Sequence, residues 1–309
     1  MGFDELIGND EVKQTLINSV TSGNILHSYL FYGIDGIGKK EFAKNFAKMI
    51  LCNNKSEKIP CNCCDSCIEF DSNNNPDFFF IEPDGNSIKI DQIREMQKKI
   101  LEKPIECTKK VYIIDKADSM TTEAQNCLLK TLEEPQEFIV IILVATNENY
   151  ILPTVKSRCT KIFFNKIDND VLMNYLEHKH EDMIMDKSLF NLCDGSISKA
   201  EKVLLKSDIL KNVKDLVNNL EKLDELEFFN KNQFFYENKD EINLILDYFY
   251  ILFFEKIRYN AYNVNGYINS MKVIQITKNK IKNSSNYDMS IDNMLIKIWE
   301  EIHEKNNRG

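Results

Sequence analysis

Gly33, Gly38 and Lys39 stand in the spacing G-x-x-x-x-G-K within GIDGIGKKE (33–41), with a further glycine at Gly36. Glycines so placed let a backbone wrap an anion. The N–H groups opening the next helix point at its oxygens, and the lysine adds charge. That is the chemistry of binding a nucleotide's phosphates. The position that should carry a Mg²⁺-ligating hydroxyl holds Lys40. A second stretch, KVYIIDKAD (110–118), reads as an apolar strand ending in Asp115, a carboxylate suited to Mg²⁺. The residue after it is Lys116, which cannot orient an attacking water as an acid would. A glycine-rich turn with a chance lysine, or an aspartate capping a turn, are the plainer readings. An apolar strand before the loop and a helical stretch after it favour the phosphate loop. The two departures together describe a site that binds ATP weakly at best, with no hydrolysis expected.

Cys52, Cys61, Cys64 and Cys67 follow in the spacing C-x₈-C-x₂-C-x₂-C. Two successive C-x₂-C steps let turns aim thiolates at one tetrahedral ion, which suits a closed structural Zn²⁺ site. An iron–sulfur cluster or a patch of free thiols are the alternatives. Cys63 is surplus by spacing. No nucleophile–base arrangement and no histidine–carboxylate pattern for a catalytic metal is visible.

The elements that must position these groups fall into two regimes. All six prolines lie at or before Pro153, and seven of ten glycines at or before Gly85. The first part alternates apolar strands (SYLFY 28–32, DFFFIE 77–82, KVYIID 110–115, FIVIILVAT 138–146, TKIFFN 160–165) with helices over about 38–51, 91–102 and 122–133. That alternation predicts a parallel sheet covered by helices. The remainder reads as nearly all helix, including 242–257 and 291–302. Its run YFYILFF is apolar on every side, so that helix is expected at the centre of a bundle. The fold class is therefore α/β followed by all-α. A net charge of −9 argues against holding DNA alone through a broad basic surface. No apolar run reaches the roughly 20 residues of a membrane span. The N-terminus has no secretory pattern, so a cytoplasmic protein is expected.

Several stretches together resemble a known family. They are ELIGNDEVKQTL (5–16), HSYLFYGIDGIGKK (27–40), the four cysteines, SIKIDQIREMQKKI (87–100), VYIIDKADSMTTEAQNCLLKTLEEP (111–135), ILPTVKSRC (151–159) and GSISKA (195–200). In this order, along essentially the whole chain, they are similar to the delta-prime subunits of the bacterial DNA polymerase III clamp loader, relatives of the tau and gamma motor subunits. The resemblance implies an AAA+ P-loop domain over 1–166 with a zinc-binding insertion at 52–67, a helical lid over 167–207 and a helical collar over 208–309. It implies zinc at the four cysteines and a sensor role for Asn147. It also implies that Arg158, in the SRC element, serves in trans as an arginine finger on a neighbour's nucleotide. Taken alone, a Ser-Arg-Cys after a proline turn would be an ordinary surface arginine. Ser198 stands where the motor subunits carry an arginine, with Lys199 one residue off. Lys40, Lys116 and Ser198 thus favour a stator that completes a ring with tau/gamma and delta subunits and reaches the sliding clamp and primed DNA through the complex. The rival is an ATP-hydrolysing tau/gamma-type motor, and a remoter one a solitary zinc-stabilised nucleotide sensor.

Overall fold

The computed structural model describes residues 3, 6–54, 59–179, 187–259, 263–283 and 286–303. Position 5 of the opening motif, 55–58 of the cysteine insertion, 180–186 of the expected lid and 260–262, 284–285 and 304–309 of the expected collar lie outside the described residues. The chain divides into two units, Met1–Glu181 with Gly195–Ser198, and Asp182–Asp194 with Lys199–Gly309.

The first unit is built on five parallel strands, β1 (Ser28–Tyr32), β2 (Phe78–Ile81), β3 (Lys110–Ile114), β4 (Ile139–Ala145) and β5 (Thr160–Phe163), in the order β2-β3-β4-β1-β5. β4 reads IVIILVA, and every residue of it is buried. An unbroken apolar run, mostly β-branched, is what a central strand covered on both faces requires. Helices α1 (Asp10–Thr21), α2 (Lys39–Leu51), α3 (Asp65–Asp71), α4 (Ile90–Ile100), α5 (Thr122–Glu133), α6 (Pro153–Lys156) and α7 (Asn169–Lys179) complete the unit.

Alternate strand residues divide the core into two layers, as the period of two demands. Tyr29, Phe31, Val111, Ile113, Val140 and Ile142 pack with Phe42, Phe46 and Ile50 of α2. Leu30, Tyr112, Ile114, Ile141 and Leu143 pack with Ile93 and Met96 of α4 and Leu128 and Leu132 of α5. Thr121 caps α5, accepting the Ala124 N–H at 3.2 Å, and Pro153 opens α6 at a position that needs no amide donor.

The second unit is helical: α8 (Lys187–Cys193), α9 (Ile197–Leu205, whose first two residues belong to the first unit), α10 (Ser207–Asn219), α11 (Glu225–Phe229), α12 (Asn232–Glu237), α13 (Ile242–Arg258), α14 (Val264–Lys282) and α15 (Tyr287–His303). α13 packs against α8, α10 and α14. It is not covered all round, because Phe254 is 56% exposed. The buried positions Ile245, Leu246, Tyr248, Phe249, Leu252 and Phe253 trace one helical stripe, and Phe254 falls off it despite its residue type. Among the described residues no helix is long and apolar enough to cross a membrane.

Candidate nucleotide and metal sites

The glycine loop leaves the carboxyl end of β1, next to β4 in the sheet, and runs into α2. In open α/β sheets this crevice, where strand order reverses, is the usual ligand position. Gly36 has φ +74°, and a Cβ there would come within 2.4 Å of Ser196 Oγ and 2.8 Å of Ser198 Cβ. The Ser198 N–H donates to Gly36 O at 3.2 Å. Residues 195–198 are thus seated on the loop, through the backbone of Ser198. Lys39 is 5% exposed, and its Nζ donates to Gly33 O at 2.8 Å and Ile34 O at 2.6 Å. Burial pushes its pKa below the ordinary lysine value, against the pull of Asp35, Asp118 and Asp115. Gly38, with φ +90°, caps α2, whose first-turn N–H groups have no intrahelical acceptor. A buried ammonium beside such donors suits an anion.

Lys40 turns to the strand ends. Its Nζ lies 3.2 Å from Asp115 Oδ2 and 3.8 Å from Glu82 Oε2, and 4.6 Å from the centroid of the Phe80 ring. Asp115 Oδ1 accepts the N–H of Lys116 at 3.0 Å. The Mg²⁺ of phosphate loops needs the loop hydroxyl and the carboxylate after β3. Here the first is missing and the second is engaged by an ammonium. An ion held about 2 Å from Asp115 would meet that charge at roughly 5 Å, a repulsion of about 7 kcal/mol at an effective dielectric of about 20, before solvent screening. The residues do not fit a divalent ion.

Lys116 is exposed, in the left-handed region at φ +50°, and leads the 3₁₀ turn Ala117–Ser119. Asp118 was not anticipated from sequence. Its Oδ2 accepts the N–H groups of Thr146 and Asn147 at 3.0 and 2.9 Å, which ties the end of β3 to the end of β4. Asn147 is held by this backbone contact and spends its own Oδ1 on the Asn149 N–H at 3.0 Å. In the second unit, Lys199 Nζ lies 3.9 Å from Asp194 Oδ2.

Arg158 lies at the other edge of the sheet. Its carbonyl accepts the hydroxyl of Ser28, the first residue of β1, at 2.6 Å. Its guanidinium is 34% exposed, donates to Thr154 O at 2.8 Å and pairs with Glu133 Oε1 at 2.7 Å. Five residues of β1, at about 3.3 Å each, separate the two edges by about 16 Å. Gln125, buried on α5, holds the approach to Arg158. It donates to Met120 O and Tyr150 O and accepts the Leu152 N–H at 2.7 Å. The signal for Gln125 is its spacing, i and i+3 to Leu128 and i+7 to Leu132, which puts an amide on an apolar face. Glu133 carries no comparable signal beyond its place in LEEP.

The thiols of Cys52, Cys61, Cys64 and Cys67 lie within 4.8 Å of one another. Cys63 is exposed and outside the group. Cys61 N–H points at Cys52 Sγ and Cys64 N–H at Cys61 Sγ, both at 3.4 Å. The Cys61 thiol is pushed down to about 6, chiefly by the Cys63 amide, whereas burial pushes Cys67 up. Thiolates about 2.3 Å from one ion stand at these mutual distances, so the four fit a metal ion. Ser66 Oγ fastens the insertion to α2 through Leu51 O at 2.7 Å, and Asn75 reaches Ser66 from the turn before β2. Cys107 Sγ, just before β3, also reaches Leu51 O at 3.3 Å, so the cluster lies at the amino-terminal edge of the sheet.

The chain is similar to known proteins of one family. The chain is 37% identical over 174 residues to the DNA polymerase III subunit gamma/tau of Mycoplasma pneumoniae, covering 56% of the chain and 25% of that protein. It is 34% identical over 184 residues to the DNA polymerase III subunit delta' of Bacillus subtilis, covering 60% and 56%. It therefore spans about a quarter of one relative and little more than half of the other. The crystal structure of a DNA polymerase III gamma subunit-related protein from Thermotoga maritima superposes with a TM-score of 0.50 at 18% identity, over 93% of this chain and 99% of that one, a likeness of fold. The model of the family described as DNA polymerase III, delta subunit, matches residues 8–168, more than half of the 309. The chain belongs to that family.

Proposed function

We propose that this protein is a delta-prime-type stator of the DNA polymerase III clamp loader, acting in the cytoplasm, with a degenerate nucleotide site of its own and an arginine finger offered in trans. The reading rests above all on the placement of Arg158. It lies at the amino-terminal edge of the sheet while the loop of Gly33, Gly36, Gly38, Lys39 and Lys40 lies at the carboxyl-terminal edge. An arginine so placed cannot serve its own loop, but it can face a neighbour's. Residues 167–207 would form the lid and 208–309 the collar that joins tau/gamma and delta subunits, with the clamp and primed DNA engaged through the assembly. Four thiols at one point support a structural Zn²⁺.

The test is a reconstituted complex carrying wild-type chain or Arg158→Ala. The variant should assemble and retain its metal, yet lower hydrolysis at the one neighbouring site on the order of 10³-fold or more. Total turnover falls partly, and clamp loading falls with it. Arg158→Lys should not restore the rate, since lysine lacks the planar fork. Equal ATPase and loading with all three chains would remove the trans role. The second reading, a motor in its own right, is favoured by the gamma/tau names among the relatives. Steady ATP turnover by the isolated chain, abolished by Lys39→Ala, would establish it against the stator.

A further inference from the structure

We infer that the Lys40 ammonium is the resident cation of this site, taking at Asp115 the place of a divalent ion, so that the loop accepts a nucleotide's phosphates as the metal-free polyanion. This deepens the reading of residues 33–40 as a nucleotide loop and rests on it. The ammonium is held from three sides. Asp115 follows β3 and stands 3.2 Å away, Glu82 follows β2 at 3.8 Å, and the Phe80 ring lies beneath at 4.6 Å. Asp115 is buried, so its charge is answered by Lys40 rather than by solvent.

An ammonium has three donors. Its contact with Asp115 is an ion pair at 3.2 Å, which leaves donors for phosphate oxygens beside Lys39, itself buried in the loop. A divalent ion would bring two charges where Lys40 brings one, so the site attracts anions less strongly than a metal-loaded loop. For the same reason it gains nothing from Mg²⁺. In solution Mg²⁺ competes with Lys40 for the same phosphate oxygens. Binding is then expected to be weak, and tightest for ATP stripped of metal.

The experiment is calorimetric titration of the full chain with ATP, in EDTA and in Mg²⁺, beside Lys40→Thr, which supplies the hydroxyl and removes the ammonium. The wild type should bind ATP in EDTA at least as tightly as in Mg²⁺. Lys40→Thr should lose about tenfold or more in EDTA, the cost of a charge-assisted contact, and regain it when Mg²⁺ is added. Mn²⁺ paramagnetic resonance should show a protein-bound, ATP-dependent ion in Lys40→Thr alone. Circular dichroism checks folding, and if Lys40→Thr fails it, Lys40→Met, which keeps the stem and removes the charge, should show the same loss in EDTA. Overturning results are wild-type binding tightened tenfold or more by Mg²⁺, Mn²⁺ bound by the wild type with ATP, or no wild-type binding in EDTA at millimolar ATP. Arg158 acts at the opposite sheet edge and in an assembled ring, so failure here leaves the trans reading standing, and the reverse holds.

Discussion

At the carboxyl-terminal edge of the sheet, Lys39 is buried among loop carbonyls and Lys40 is matched to a buried aspartate. At the amino-terminal edge, Arg158 is 34% exposed and its partner Glu133 is 48% exposed. Both edges hold a cation beside a carboxylate, but the surroundings differ. A buried carboxylate that lost its ammonium would be left uncompensated, at a cost of several kcal/mol. An exposed pair is worth only about 0–1 kcal/mol. Glu133 therefore steadies Arg158 without committing it, and a phosphate able to take the guanidinium in two parallel hydrogen bonds outcompetes one carboxylate oxygen. One edge pairs its cation with a buried carboxylate, and the other pairs it with an exposed one.

The comparison breaks most decisively at Arg158. If the exposed edge works outward, Arg158→Ala gives the large, site-confined loss described above while the chain's own fold is unaffected. The next effect is loss of the metal at the same edge. Cys64→Ser should release the ion, about one per chain in the wild type by atomic absorption, and loosen the joint of α2 with β2. Cys63→Ser should keep it. Metal retained by the Cys64 variant would mean that the four clustered thiols are not the ligands.

Gln125→Ala sharpens the contrast at a smaller scale. It leaves two carbonyls and the Leu152 N–H without their partner, so urea unfolding should show a loss of about 1–3 kcal/mol. The arginine-dependent rate should fall with it, because the segment 150–152 leads into α6 and Arg158. An unchanged rate would separate the arginine from that support. The smallest effect is expected for Glu133→Gln, within about 1 kcal/mol in stability. A larger loss would mean that Arg158 is a structural group after all.

How much was legible depends on whether a feature is local. SYLFY and IVIILVA announce buried parallel strands by composition, and β1 spans the expected residues 28–32. Helix 122–133 follows from its period and from the proline after it. The loop glycines, Asp115 and the four cysteines stand out in the sequence because their spacings are short. The pairing of Lys40 with Asp115 does not, since the two lie 75 positions apart and a lysine in place of a hydroxyl reads only as a loss. Asp118 and Gln125 were missed for the same reason: their acceptors and donors come from strand and turn ends about 25–29 residues away. In α13 the all-round apolar run says less, because residue type alone cannot show that Phe254 is 56% exposed while the helix packs against three others.

The hydroxyl of Ser28 on the carbonyl of Arg158 has a consequence for tolerance to change. β1 is paired on both sides, with Tyr29 opposite Ile142 and Thr160. A slip of one residue would turn Tyr29 and Phe31 into the wrong layer. The strand is thus a ruler with a loop cut at one end and an arginine pinned at the other. Its length can change only in steps of two residues, about 7 Å each. Single-residue insertions within 28–32 should therefore be rejected outright, whereas the exposed loop tip at Gly85, with nothing within 4 Å of an added Cβ, should absorb them.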